Sequence, residues 1–202
     1  MNYLFFVRYF VHLLDIIFTF EKRNTFLFFS LNQIIRTFAS RSEDNTYKIM
    51  IRKADIGDIQ ALTKLLYQAD AVHNCIRPDL FKSDTPKYSK QELEAVINDS
   101  TKPIFVYDDG EVVGHAFCQI IEIRNHRLLQ DIKTLYIDDI CVDEAARCKH
   151  VGKALFEYVR DYAKSIGCYN ITLNVWEGND PAFAFYKNMG MQVQKTGMEI
   201  KV

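Results

Sequence analysis

Hydrophobic positions change their period several times along the chain, and each change marks an element. In "YKIMIRKA" (47–54) apolar and polar side chains alternate, which predicts a half-buried strand. From Ile59 the spacing lengthens. Ile59, Leu62, Leu65, Leu66 and Ala69 fall on one helical face, with Asp55 or Asp58 placed to cap it. "RPDLFKSDTPKYS" (77–89) holds two prolines and reads as a loop. Ser89 and Glu92 have the S-x-x-E spacing of a capping box, so a second helix runs to about Asn98. "PIFVYDDGEVVGHAFCQIIEI" (103–123) is a hairpin of two β-rich runs around Asp108-Asp109-Gly110.

"DIKTLYIDDICV" (131–142) predicts a further strand. A short polar loop and a long amphipathic helix ending near Gly167 follow it. "NITLNVWE" (170–177) is a strand, "PAFAFYKNM" (181–189) a short helix stopped by Gly190, and "QVQKTGMEIKV" (192–202) carries one or two closing strands. The order β-α-α-β-β-β-α-β-α-β predicts an α/β fold. Its central sheet is mixed and mostly antiparallel, flanked by helices, with one βαβ crossover near the middle.

The strand at 131–142 changes phase internally. Leu135 and Ile137 share one phase, and Ile140 and Val142 share the other. A β-bulge near Asp138-Asp139 absorbs the extra residue, and bulges cluster beside active sites; a strand buried on both faces is the alternative. Either way two adjacent acids stand in mid-strand, directly before the polar loop.

Composition separates the first 47 residues from this pattern. Residues 1–48 hold nine of the fifteen Phe and none of the eight Gly. Tyr3 to Phe20 is apolar but interrupted by Arg8, His12 and Asp15, and each ionised group costs roughly 2.5–3.5 kcal/mol at a bilayer centre. Three readings follow for this Phe-rich extension. It is a weak membrane or interface anchor, a helical extension packing on the domain or a partner, or a leader upstream of a start at Met50. The second domain runs over 48–202.

Charge narrows the partners. A net charge of -1 lacks the basic excess of a nucleic-acid-binding protein. The five cysteines are odd in number and contain no C-x-x-C pair, which fits a reducing, cytoplasmic location. The five histidines are scattered, so no metal site is expected. A membrane partner enters only through residues 1–47, and a homodimer is left open.

The loop after the acids opens a helix, whose first-turn N–H groups lack partners inside the helix and form a ready anion site. Arg147, Lys149 and Lys153 surround its single glycine, Gly152. "VDEAARCKHVG" (142–152) resembles the acetyl-CoA-binding motif of the GNAT superfamily of N-acetyltransferases, Arg/Gln-x-x-Gly-x-Gly/Ala. "NDPAFAFYKNMGM" (179–191) resembles the same family's second signature, Asn-x-x-Ala-x-x-Phe/Leu-Tyr followed by a Gly-apolar pair. Arg147 and Gly152 fit the first motif. Cys148 stands where many members carry Gly, and His150 replaces the first motif glycine. The resemblance covers roughly 48–202 and is to small, single-domain, bacterial-type members.

The resemblance implies a GNAT fold and acetyl-CoA as acyl-donor cosubstrate, held in a splay between "TLYIDDICV" and "NITLNVWE". It places the pyrophosphate on the amides of Cys148, Lys149, His150, Val151, Gly152 and Lys153, with Arg147 beside them. The pantetheine would pair with main chain at Ile140, Cys141 and Val142, and Asn179 would touch the cofactor or cap its helix. Tyr186 matches the tyrosine that protonates the leaving thiolate. Asp138 or Asp139 would take the proton of a primary amine on a small molecule or peptide, and two close carboxylates raise one pKa, which suits a base. Asn174 and Trp176 would line the acceptor pocket; core packing is an equal reading for the lone Trp. Rival functions are a non-catalytic acyl-CoA-binding or sensing module and a membrane-tethered interaction protein.

Overall fold

The computed structural model describes residues 50–202, which lie in a compact unit spanning Thr46–Val202. The expectations for the Phe-rich extension, and the first residues of the predicted strand at 47–54, lie outside the described residues. No described helix is long and apolar enough to cross a membrane.

Five strands form one sheet in the order β1-β2-β3-β4-β5: β1 Ile51–Lys53, β2 Ile104–Asp108, β3 Val112–Ile123, β4 Ile132–Val142 and β5 Asn170–Thr172. The first three pairings are antiparallel. β4 and β5 are parallel, joined by the one crossover helix. The helices are α1 Ile59–Ile76, α2 Lys90–Asn98, α3 Val151–Ser165 and α4 Asp180–Asn188.

Local chemistry accounts for the element ends. Asp55 and Asp58 cap the 3-10 turn Ile56–Asp58 that leads into α1: Gly57 N donates to Asp55 Oδ1 at 2.7 Å and Asp55 N to Asp58 Oδ2 at 2.8 Å. Asp58, the N-cap of α1 itself, makes no side-chain cap bond to that helix. Arg52 ties this corner to the sheet. Its guanidinium forks onto Asp58 at 2.7 and 2.8 Å and reaches Asp108 at 2.8 Å. The Ser89–Glu92 capping box forms as its spacing predicts. Gly110 closes the β2–β3 hairpin at φ +83°, a conformation open to glycine at no steric cost.

Side chains alternate across the sheet. On one face Phe105, Tyr107, Ala116, Cys118, Leu135 and Ile137 pack under Val151, Leu155 and Val159 of α3. On the other, Ile104, Val106 and Phe117 meet Ile59, Leu62 and Leu66 of α1 and Leu93 and Ile97 of α2. Gly114 of β3 permits the closest approach of α3. A Cβ there would stand 3.0 Å from Leu155 and 3.1 Å from Val151, which seat the N-terminus of α3 at the end of β4.

The bulge lies where the phase change places it. Phe117 pairs with Asp139 and Cys118 with Ile137, leaving Asp138 as the extra residue. The end of the chain differs from expectation. Residues 192–202 form no strand, so the closing strands are absent, although Met198 and Ile200 alternate with Glu199 and Lys201. Glu199 pairs instead with Arg77, and Lys201 with Asp79, at the C-terminal end of α1. The strand at 170–177 is also shorter than expected and ends at Thr172.

Candidate active site

The early end of β5 creates the site. Its last paired residue, Thr172, faces Tyr136, and the bulge begins two residues later in β4. From there the two chains part. Ile137–Val142 form one wall of a cleft of about 220 Å³, and Leu173–Trp176 form the opposite wall. Gln68, Val72 and His73 of α1 and Asn179, Ala182 and Tyr186 at α4 complete the lining. Beyond Tyr136 no described strand pairs with β4 on the cleft side, so this edge is open to an extended ligand.

The bulge also decides where the two acids go. Without it Asp139 would share a face with Leu135 and Ile137. With it Asp139 turns toward α1 and meets His115 of β3, Nε2 to Oδ2 at 2.9 Å. His115 is fully buried, and its Nδ1 has no partner among the described residues. Asp138 instead pairs with Lys87 of the 77–89 loop, Nζ to Oδ2 at 2.7 Å. The expectation that proximity raises one of the two carboxyl pKa values is corrected at Asp139. Burial alone would push it up, but the His115 hydrogen bond, with the charges of His115, Lys87 and His73, holds it below the ordinary carboxylate value. A carboxyl that is raised stands nearby: burial lifts Asp70 of α1, whose Oδ2 accepts from Lys87 N at 2.9 Å.

Tyr186 faces these acids across the cleft. Burial pushes its phenol pKa up, with the charge of Asp139 adding to the effect, so it keeps its proton at neutral pH. Its ring packs on Phe185 and Phe156, at 5.1 and 6.2 Å between centroids. Asn179 caps α4, its Oδ1 accepting from Ala182 N at 3.3 Å, and also lines the cleft. Asn174 donates to the Tyr136 hydroxyl at 3.1 Å. Trp176 is not a core residue. It is 40% exposed, edge-on to Phe81 at 5.5 Å and beneath the Arg77 guanidinium at 5.6 Å.

The loop at 147–150 supplies the basic end. Cys148 and His150 both adopt left-handed backbone, at φ +63° and +61°. His150 stands at the first glycine of the motif, so the backbone path is kept there although the side chain is not. His150 is the N-cap of α3 and makes no side-chain cap bond, and the amides of Val151, Gly152 and Lys153 have no partner among the described residues. Arg147 lines the cleft, its Nε donating to Val142 O at 3.4 Å. Gly152 has ordinary helical backbone, and a Cβ there would touch Val142 and Phe185 at 3.6 and 3.7 Å. Lys149 and Lys153 are exposed at the same helix end.

The family's sequence profile, described as the acetyltransferase (GNAT) family, matches residues 69–191, more than half of the chain. The chain belongs to the GNAT acetyltransferase family. An uncharacterized N-acetyltransferase of the pepI 3' region in Lactobacillus delbrueckii subsp. lactis is 29% identical over 124 residues, covering 54% of this chain and 68% of that protein. Glucosamine 6-phosphate N-acetyltransferase of Arabidopsis thaliana is 37% identical over 59 residues, 29% of this chain, and the match spans only 38% of that enzyme. Among solved structures, a variant of the BH1408 protein from Bacillus halodurans superposes with a TM-score of 0.72 at 30% identity, covering 75% of this chain and 98% of that one.

Ile137–Val142, Arg147, Asn174, Trp176, Asn179 and Tyr186 thus converge on one cleft, with the amides of 148–153 at the adjoining helix end. Sequence reasoning missed His115, Lys87, Asp70, His73 and Gln68. Gln68 lines the cleft and also accepts from Glu144 N at 3.2 Å, which ties α1 to the turn after β4. Among the described residues no group of three or more His, Cys, Asp or Glu is arranged to hold a metal.

Proposed function

We propose that this acetyltransferase moves the acetyl group of acetyl-CoA to a primary amine of a small molecule or peptide by direct attack. The observation that carries the reading is the parting of β4 from residues 173–176. It sets the Asp138–Asp139 pair and the Tyr186 phenol on walls of one cleft, beside the unpartnered amides that open α3.

Each group then has a task. The amides of Val151, Gly152 and Lys153, with Arg147, Lys149 and Lys153, hold the diphosphate end of the donor at the positive end of the α3 dipole. Main chain at Ile140–Val142 pairs with the extended pantetheine arm, and one N–H there stabilises the oxyanion of the tetrahedral intermediate. Asp138 or Asp139 draws in the cationic amine and takes its proton. Asp139, held ionised by His115, is in the form that can accept it. Tyr186 returns a proton to the departing thiolate. Asn174 and Trp176 contact the acceptor.

Free-thiol release from acetyl-CoA, measured across a panel of amines that includes amino-sugar phosphates, lysine-containing peptides and polyamines, tests the reading. Acceptor-dependent release is expected. Acetyl-CoA binding without release for any amine would instead favour the non-catalytic acyl-CoA module.

A further inference from the structure

The loop at 77–89 places an amine of the protein itself on a carboxylate of the cleft. Lys87 Nζ lies 2.7 Å from Oδ2 of Asp138, and Asp138 lines the cleft. The residue is held at both ends, since its main-chain N donates to Asp70 Oδ2 at 2.9 Å. The ammonium also stands 5.7 Å from the centre of the Tyr88 ring, which stacks on Phe117. The loop is tied down elsewhere: Asn74 Nδ2 donates to Phe81 O at 2.6 Å, and the Phe81 ring meets Trp176 of the cleft wall. A third of the Lys87 side chain remains exposed while its main chain and its ammonium are both held.

We infer that Lys87 is an internal acceptor: its amine occupies the seat of the acceptor amine on Asp138 and is acetylated by the chain's own cleft when no other amine is present. This rests on the acetyl-CoA reading above. The step balances without a further reactant. The Lys87 ammonium gives one proton to Asp138, and the freed amine attacks the thioester carbonyl. The C–N bond forms, the C–S bond breaks, and the nitrogen loses its second proton. One of the two protons leaves with coenzyme A as its thiol and the other goes to solvent, so the products are N-acetyl-Lys87, free coenzyme A and one proton. Burial opposes it, but the hydrogen bond and charge of Asp138 raise the Lys87 pKa, so the gain over a free lysine comes from the fixed position of the nitrogen at the cleft. Once acetylated, Lys87 no longer neutralises Asp138, and the carboxylate becomes available to a cationic acceptor.

The full chain, incubated with deuterium-labelled acetyl-CoA and no added amine, is digested and its lysine peptides are followed by mass spectrometry. Lys87 is expected to gain one acetyl group at least tenfold faster than Lys82 and Lys90, exposed lysines of the same region that report spontaneous acylation. The rate should not change on tenfold dilution of the protein, as a reaction within one chain requires. Asp138→Asn should slow labelling of Lys87 toward the rate of those two lysines. Lys87→Arg, which keeps the charge beside Asp138, should leave the chain with no fast-labelled lysine. Labelling of Lys87 no faster than of Lys82 and Lys90, in protein that does release coenzyme A with an added amine, would overturn the inference and leave the acetyl-transfer reading standing. Absence of release with every amine, and of labelling, would overturn both.

Discussion

Oδ2 of Asp139 lies 2.9 Å from Nε2 of His115, and His115 is wholly buried with its other ring nitrogen unpartnered among the described residues. The pair exists because the bulge at Asp138 turns Asp139 onto the α1 face, where β3 presents His115. Nε2 faces the carboxylate, and Nδ1 has no partner among the described residues. In the proposed reaction His115 would act through Asp139 as a positioning residue.

Replacing His115 by Leu keeps the space filled and removes the donor. We expect a loss of about 3 kcal/mol at pH 7, at the low end of what breaking a buried pair costs. His115→Gln, which can still donate, should lose roughly half of that or less. The sign with pH follows from Asp139, whose folded pKa is depressed below its ordinary 3.8. Stability from a depressed carboxylate is present above the unfolded value and lost as pH falls through the folded one. The gap between wild type and the Leu variant in urea titrations should thus be full at neutral pH and narrow below about pH 4. An undiminished gap at about pH 3 would assign the loss to packing alone.

The left-handed residues Cys148 and His150 make a second prediction. An L-residue in this conformation costs roughly 1–2 kcal/mol, and glycine avoids most of that at some cost in unfolded-state entropy. His150→Gly should therefore stabilise the chain by about 0.5–1 kcal/mol, or raise Tm by roughly 1–4 °C. His150→Ala, which keeps the Cβ, should bring no such gain. Cys148→Gly should act in the same direction. Equal melting temperatures for the Gly and Ala variants would mean that the backbone is not held at φ +61°.

Gly152 makes a different prediction because its backbone is helical. A Cβ at this position meets Val142 and Phe185 at 3.6–3.7 Å, which is ordinary contact. Gly152→Ala should leave acetyl-CoA affinity within about threefold of wild type. Gly152→Val adds two methyl groups at the mouth of the amide cradle and should weaken binding by at least about tenfold, which takes only ~1.4 kcal/mol. Calorimetric titration of both variants measures this. Unchanged binding by the Val variant would move the cofactor away from this helix end.

Only part of this geometry is legible in the sequence. The bulge was legible because it must reconcile Leu135 and Ile137 with Ile140 and Val142, and a two-residue period cannot. The caps at Asp55 and Ser89 were legible because they depend on neighbours three residues away. His115 and Lys87 were not. Their roles depend on the β3–β4 register and on a loop crossing from α1 to β4, with partners 24 and 51 residues distant. The expected closing strands failed for a related reason. Alternation at 192–202 describes a chain able to pair, but pairing needs an edge, and the ion pairs of Glu199 and Lys201 hold this segment at Arg77 and Asp79.

Tyr186 provides the sharpest test of chemistry. Its hydroxyl has no hydrogen-bond partner among the described residues and lines the cleft, while its ring is fixed by Phe185 and Phe156. Burial raises its pKa, so the phenol is protonated throughout the working range and needs no further tuning to act as a donor. The same burial makes it a reluctant acid, so in the proposed step it would act as a hydrogen-bond donor to the sulfur as negative charge builds there on C–S cleavage. Its contribution is therefore confined to the transition state and should appear in kcat rather than in binding. Tyr186→Phe keeps the ring and deletes only the hydroxyl. We expect normal folding, acetyl-CoA affinity within about threefold, and a turnover lower by roughly 10²–10⁴-fold. The measurement is steady-state free-thiol release with a true acceptor, paired with a single-turnover experiment that establishes chemistry as the slow step. If chemistry limits and the Phe variant falls by less than about threefold, the hydroxyl only fills the cleft wall, and water must carry the proton to the thiolate.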